Sequence, residues 1–373
     1  MEQINSRQLI IFTALFTIGT SLLVIPSHLS SIVKQDAWIA SIWTCCLNIA
    51  YLLLYIILIN KYPNHNLLQI VEIILGKWIG KLVSWLYIMF FALLTIFLLK
   101  FLGEFMKTMI LPSTPTWFVD ITFITVIMIG LRYGITTFAR SAELFFPIVI
   151  IFLTIITISL FTYGDYSKLL PIGEYGVLSI FEAGLKMSTF QEHICLLMTL
   201  SFFRTTGHRT AARSLLIGAM LGFFVLITFS VVTIIILGSY NTAHALYPVF
   251  VVVKKISIGG FFQRIEILMI GVWFLAVFVK VYITYLASLI GMAGTMNIGN
   301  YKPLILPLGV VLVVYANIVY PNTATLLDFG STWLSVGLLF GFFIPLLLVI
   351  IDWIKRVFTN NDNYNEINVE DGS

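Results

Sequence analysis

Along this chain apolar residues run on for about 17 to 25 positions at a stretch, the length that carries an α-helix through a hydrocarbon core of roughly 30 Å. Polar positions gather in short intervals between these runs. The pattern predicts about ten spans, near 8–33, 37–60, 79–106, 116–131, 141–162, 178–203, 213–238, 266–294, 303–320 and 331–352. The expected fold is an all-α membrane protein, a single transmembrane helical domain over 1–358 followed by a polar, Asn/Asp/Glu-rich end, 359–373, expected to be a short disordered tail. The first run is too long for a cleavable signal sequence and lacks a basic segment before it.

Composition agrees with the pattern: 60% of residues are apolar, 10% are charged and mean hydropathy is +1.02. Soluble domains carry about a quarter charged residues, so a water-soluble fold is excluded. The net charge of +4 is dispersed, which argues against nucleic-acid binding. Cys45, Cys46 and Cys195 lack the spacing of a disulfide framework or metal site, and His28, His65, His208 and His244 are scattered. No cofactor or metal is expected. Neither His-Glu-x-x-His nor Gly-x-Ser-x-Gly occurs, and Glu192 and His193, as neighbours on a helix, would face different sides, so an enzyme is not expected.

Orientation follows from the short loops. With the N-terminus inside, cytoplasmic loops hold Arg7, Lys61, Arg140, Arg209 and Arg356 among others, roughly twice as many basic residues as the outer loops with Lys34, Lys107, Lys168, Lys254, Lys255 and Arg264. Both termini are therefore expected in the cytoplasm. In the outer connection from Ser239 to Glu266, the apolar stretch from Pro248 is too short to span, and is expected at the membrane interface, ended by Gly259 and Gly260.

Two runs are irregular. In the first, Gly19, Thr20 and Ser21 precede Pro26, which removes a backbone hydrogen bond, so a local break is expected. In the sixth, Gly184, Ser188 and Thr189 interrupt a stretch that also carries Glu182, Lys186, Glu192 and His193. Irregular backbone survives in a bilayer only where protein or a watery cavity satisfies it. Spans one and six open two five-helix halves, which matches a transporter-like 5+5 inverted repeat whose discontinuous first and sixth helices meet at a midplane site. The candidate ligand-binding residues are Gly19, Thr20, Ser21, Ala183, Gly184, Leu185 and Lys280. A simple kink or a small-residue packing face is the bland alternative.

Charges within spans are costly. Lys280, at the centre of the eighth run, is expected to face the interior with Glu192 as its partner by depth. Lys100 and Glu104 stand at i,i+4 near the outer end of the third run, where a snorkelling structural pair is the simpler reading, and Lys186 completes the set of intramembrane charges. Glu143 follows Arg140 by three positions at a cytoplasmic helix start, which suggests a local ion pair or a favourable placement in the helix dipole.

The segment Gly19-Thr-Ser-Leu-Leu-Val-Ile-Pro-Ser27 with Lys34-Gln-Asp-Ala-Trp-Ile39 resembles the opening of the B subunit of Ger-type nutrient germinant receptors of endospore-forming bacteria. Collinear matches follow at Tyr62-Pro63, Leu75-Gly-Lys-Trp-Ile-Gly80, Glu104-Phe105, Leu111-Pro-Ser-Thr-Pro115, Ala139-Arg140 with Glu143, Leu170-Pro171, Tyr247-Pro248, Ile256-Ser-Ile-Gly259 and Gln263-Arg-Ile-Glu266. Thr136 departs from the acidic residue such proteins often carry there. The resemblance implies a member of the amino acid, polyamine and organocation transporter superfamily in the spore inner membrane. It also implies A and C subunits as partners, and recognition of an amino acid, sugar or nucleoside that triggers germination. It further implies that the Lys280 ammonium stands where sodium-coupled members hold a cation; a buried structural ion pair is the alternative. A second function is consistent with the same residues: an amino acid permease coupled to protons or sodium.

Overall fold

A computed structural model describes residues 3–63, 65–203, 208–255, 265–321 and 323–370. The chain is helical throughout: α1 (Ser6–Ile18), α2 (Ser21–Val33), α3 (Ala37–Lys61), α4 (Leu67–Leu75), α5 (Lys77–Met109), α6 (Thr116–Tyr133), α7 (Ile135–Phe161) and α8 (Gly176–Ser188) come first. Then follow α9 (His208–Leu237), α10 (Ser239–His244), α11 (Pro248–Lys254), α12 (Ile265–Thr295), α13 (Ile305–Val319), α14 (Thr323–Leu338) and α15 (Ile344–Glu370). Among the described residues eight helical segments are long and apolar enough to cross a bilayer. Each expected run has its counterpart in these elements: the first of the eight, Ser21–Lys61, joins α2 to α3, α1 stands apart as a shorter apolar helix, and α8 with its continuation is not among them.

Local chemistry explains several helix ends. Asn5 accepts from the Gln8 amide while the Gln8 side chain accepts from the Asn5 amide, a capping box that starts α1. Asn66 and Gln69 do the same for α4, an amphipathic helix that buries Leu67, Ile70 and Val71 where the hydrophobic runs suggested a loop. The signature was in the sequence, but a nine-residue helix is too short to register as a span. Thr136 accepts from the Gln3 amide at 2.8 Å and donates to the Gln3 carbonyl at 3.1 Å, so this departure from the acidic residue pins the N-terminal segment.

The core lies where α1, α5, α9 and α12 meet, and outward faces of α6, α7, α13 and α15 carry exposed Ile, Leu, Val and Phe, as lipid-facing helices do. Gly218 and Gly222 on α9 let α1 approach so closely that added Cβ atoms would stand 2.5 Å from the Ile10 carbonyl oxygen and 2.4 Å from Thr17 Cβ.

The break expected at Gly19 to Ser21 falls at Gly19–Thr20, and α2 runs on through Pro26. Two expectations need correction. The Pro248 stretch is not laid on a membrane surface, because α11 packs against α2, α9 and α12 with Val249, Phe250, Val252 and Val253 buried. Gly259 and Gly260 lie outside the described residues. Glu143 pairs across the bundle with Arg7 at 3.2 Å and accepts from Gln8 at 3.2 Å, rather than with Arg140. The last helix, α15, is described as far as Glu370.

Candidate functional site

Two backbone interruptions face one another in the bundle interior. α1 ends at Ile18, and Gly19 and Thr20 separate it from α2. α8 ends at Ser188 and passes through a 3₁₀ turn, Thr189–Gln191, to Glu192, whose φ of 34° and ψ of 37° are left-handed. From there a ten-residue 3₁₀ segment, His193–Phe202, continues. Such tight helix rarely persists beyond a few residues, and this one is buried over His193–Leu200. The second break therefore centres on Glu192 rather than Gly184. Gly184 lies inside α8, packed so close to α3 that an added Cβ would sit 3.0 Å from Trp43 Cβ and 3.1 Å from the Ala40 carbonyl. Ala183 is buried beside it and Leu185 is half-buried.

Lys280 links the two interruptions. Its side chain is fully buried at the centre of α12, and its ammonium lies 2.7 Å from Glu192 Oε2, 2.9 Å from the Phe190 carbonyl and 3.4 Å from Thr20 Oγ1. An ammonium has three donors, and one carboxylate, one carbonyl and one hydroxyl meet them. The Phe190 carbonyl also accepts from Ser21 Oγ at 3.2 Å, so an acceptor released by the break ties α2 to the sixth run. Glu192 Oε1 accepts from Trp333 Nε1 at 2.9 Å, which brings α14 into the site. The lysine stem runs over Gly19, where a Cβ would stand 2.7 Å from Lys280 Cδ; only glycine leaves that room. His193 Nε2 lies 2.8 Å from Thr17 Oγ1, and because Thr17 already donates to the Thr13 carbonyl at 2.7 Å, the ring is the donor in this pair. Glu192 and His193 thus both face inward, which a regular helix would not permit.

Beside the lysine lies a small chamber of about 30 Å³, lined by Thr20, His28, Phe97, Phe101, Phe190 and Tyr247 among others. That is room for about one water. The chamber is aromatic-walled.

The other intramembrane charges separate. Lys186 pairs with Glu182 at 2.7 Å on the outer face of α8, with side chains 40% and 59% exposed. Lys100 and Glu104 do not snorkel: their side chains are 2% and 3% exposed and 3.3 Å apart, facing α6 and α13. Sequence reasoning overlooked their neighbours Asp120 and Asn317, and also Phe190 and Trp333. A lone carboxylate within the fourth apolar run was the available signal for Asp120; aromatic residues are so dense here that nothing singled out Trp333.

The all-helical bundle is similar in fold to solved structures. The chain superposes on MhsT in complex with L-phenylalanine with a TM-score of 0.64 at 13% identity, covering 95% of this chain and 99% of that one. It matches MHP1, a nucleobase-cation-symport-1 family transporter in a closed conformation with bromovinylhydantoin bound, with the same TM-score and identity, over 90% of this chain and 76% of that one. The family model described as spore germination protein matches residues 3–324, and the chain belongs to that spore permease family. Its relatives include spore germination protein YndE of Bacillus subtilis (strain 168), 25% identical over 364 residues, covering 95% of this chain and 98% of the relative. Spore germination protein KB of the same organism is 25% identical, covering 95% and 96%. GerQB of Bacillus cereus is 24% identical, covering 91% and 94%.

Proposed function

We propose that this chain is the integral membrane subunit of a spore nutrient germinant receptor. It binds a small nutrient, an amino acid, sugar or nucleoside, in the chamber between the two breaks and passes the resulting rearrangement to A and C subunits in the spore inner membrane. The observation that carries this reading is the aromatic-walled chamber beside the Lys280–Glu192 pair. A nutrient is far larger than about 30 Å³, so entry has to displace Phe190, Phe97 or Phe101 and with them the elements that hold the ammonium. Binding and conformational change are then one event, which a sensor requires. The role is non-enzymatic.

The fold supports a ten-helix 5+5 inverted repeat in which α1–α2 and α8 with its 3₁₀ continuation are the discontinuous first and sixth helices. Both termini face the cytoplasm on the charge count. The Lys280 ammonium fills the place of a coupling cation, so the nutrient response is independent of sodium.

Spores lacking this gene, challenged with single amino acids, sugars and nucleosides, should lose germination to one nutrient class and keep it to the rest. Complementation with Phe190→Leu, which enlarges the chamber but keeps the Phe190 carbonyl, should shift the nutrient dose response at normal protein abundance. An unchanged response after deletion would overturn the function, and an unchanged dose response in Phe190→Leu would move the site elsewhere. Uptake of a labelled amino acid by cells expressing this chain alone would favour the permease.

A further inference from the structure

The second buried lysine has chemistry that the ligand chamber does not use. Lys100 on α5 reaches Glu104 Oε1 at 3.3 Å, Thr116 Oγ1 at 3.1 Å and Asn317 Oδ1 at 3.4 Å. The Asn317 amide then donates to Asp120 Oδ2 at 3.2 Å and to the Val313 carbonyl at 3.0 Å. Asp120 is fully buried, and its other oxygen, Oδ1, has no hydrogen-bond partner among the described residues. Lys100 and Glu104 are the charged groups that act on Asp120. α13 contributes the neutral Asn317, and Glu104 also acts on Tyr247.

Among the described residues Asp120 has no ion pair, and its hydrogen-bond donor is the neutral Asn317 amide. A carboxylate so placed is expensive to keep charged. A metal ion does not supply the missing charge at Oδ1. That oxygen is seated against Gly103, so close that an added Cβ would be 2.4 Å away, and a metal ion needs a shell of several oxygens. A proton needs no such space.

We propose that Asp120, with Lys100, Glu104 and Asn317, forms a proton-binding site in which Asp120 is held as the carboxylic acid at neutral pH. The step is a single protonation: hydronium from the aqueous phase gives its proton to the Asp120 carboxylate, and water leaves. Lys100 stays an ammonium paired with Glu104. Asp120 stands one turn inside α6, whose first residue is Thr116, so the proton's route to the end of the bundle is short. The site is separate from the chamber, although α5 carries Phe97 and Phe101 of the one and Lys100 and Glu104 of the other. The inference does not depend on what the chamber binds.

The test uses the full chain in lipid nanodiscs at neutral pH, with ¹³C at its aspartate carboxyls, read by infrared spectroscopy. A protonated aspartate carbonyl band should be present in the wild type, absent in Asp120→Asn, and unchanged in Asp165→Asn, whose carboxylate sits in an exposed loop. Should Asp120→Asn fail to accumulate, Asp120→Glu serves. The aspartate-labelled sample must then lose the band and a glutamate-labelled one must gain it. No protonated aspartate band in the wild type, or a band that survives replacement of Asp120, overturns the proposal.

Discussion

The two buried lysines solve one problem in different ways. Lys280 lies where two helices are interrupted, and its donors go to one carboxylate, a carbonyl freed by the break and a hydroxyl at the break. Lys100 lies among the continuous helices α5, α6 and α13, whose backbone groups are occupied within their own helices, so side chains must supply every acceptor. The first site balances one charge with one; the second gathers two carboxylates round one ammonium. An interrupted backbone is thus a source of neutral acceptors, and it lets a charge be held with few other charges nearby. Such a site can be loosened by moving backbone. The other responds to protons.

The largest effect should come from breaking the balanced pair. Lys280→Met or Glu192→Gln alone leaves a buried charge unmatched, which costs roughly 3 to 5 kcal/mol and should appear as lost abundance in the membrane. The double change should recover part of the loss, since the residues are 2.7 Å apart. Strictly additive losses would mean that the pair does not act as one.

The unbalanced cluster sharpens the contrast. Lys100→Met should cost an amount near the lower end of that range, roughly 3 kcal/mol, in the thermal unfolding of the purified chain. Adding Glu104→Gln should restore part of it without any change at Asp120. If recovery instead needs Asp120→Asn as well, both carboxylates are charged and the two lysine sites differ less than the charge count implies.

How far the sequence reached is visible in these same residues. Membrane spans were legible because a bilayer demands long apolar runs whatever the tertiary contacts, and Gly19 and Lys280 stood out because each violates such a run. Depth alone nominated Glu192 as the partner. Gly184 misled because glycine serves close packing against α3 as readily as it serves a break, and nothing local tells the two apart. Glu192 itself takes the left-handed conformation, one few non-glycine residues adopt, and it does so under tertiary contacts to Lys280 and Trp333 that lie far away in sequence. Asp120 and Asn317 required knowing which faces of α6 and α13 turn toward α5.

A smaller effect should follow at the close approach between the first break and the lysine stem. Gly19→Ala places a methyl 2.7 Å from Lys280 Cδ and 3.0 Å from the Phe16 carbonyl, so the stem must shift, at about 1 to 3 kcal/mol for overpacking. Gly19→Leu should go further and abolish or shift the nutrient response. In a Lys280→Met, Glu192→Gln background the stem is no longer fixed by its ion pair, and the alanine should cost less. An equal cost in both backgrounds would assign the strain to the Phe16 carbonyl alone.

The smallest effect belongs to the third lysine of the interior runs, and it separates position from chemistry. Lys186 and Glu182 make as short an ion pair as Lys280 and Glu192, 2.7 Å in each case. The difference is exposure: 40% and 59% for the side chains on α8, against 0% and 3% for the interior pair. Exposed pairs contribute about 0 to 1 kcal/mol where water screens both charges, and the long side chains lose freedom in meeting. Lys186→Met in the isolated chain should therefore leave the unfolding midpoint within about that range, and a second change, Glu182→Gln, should add little. The same variants should then be compared in spores, where the proposed A and C subunits would be present. A loss of abundance there that the isolated chain does not show would mean that this face of α8 is covered in the proposed assembly, and that the pair becomes a buried one only on assembly. Equal, small effects in both settings would leave it a surface pair, and would confine the intramembrane charge chemistry of this protein to Lys280 and Lys100.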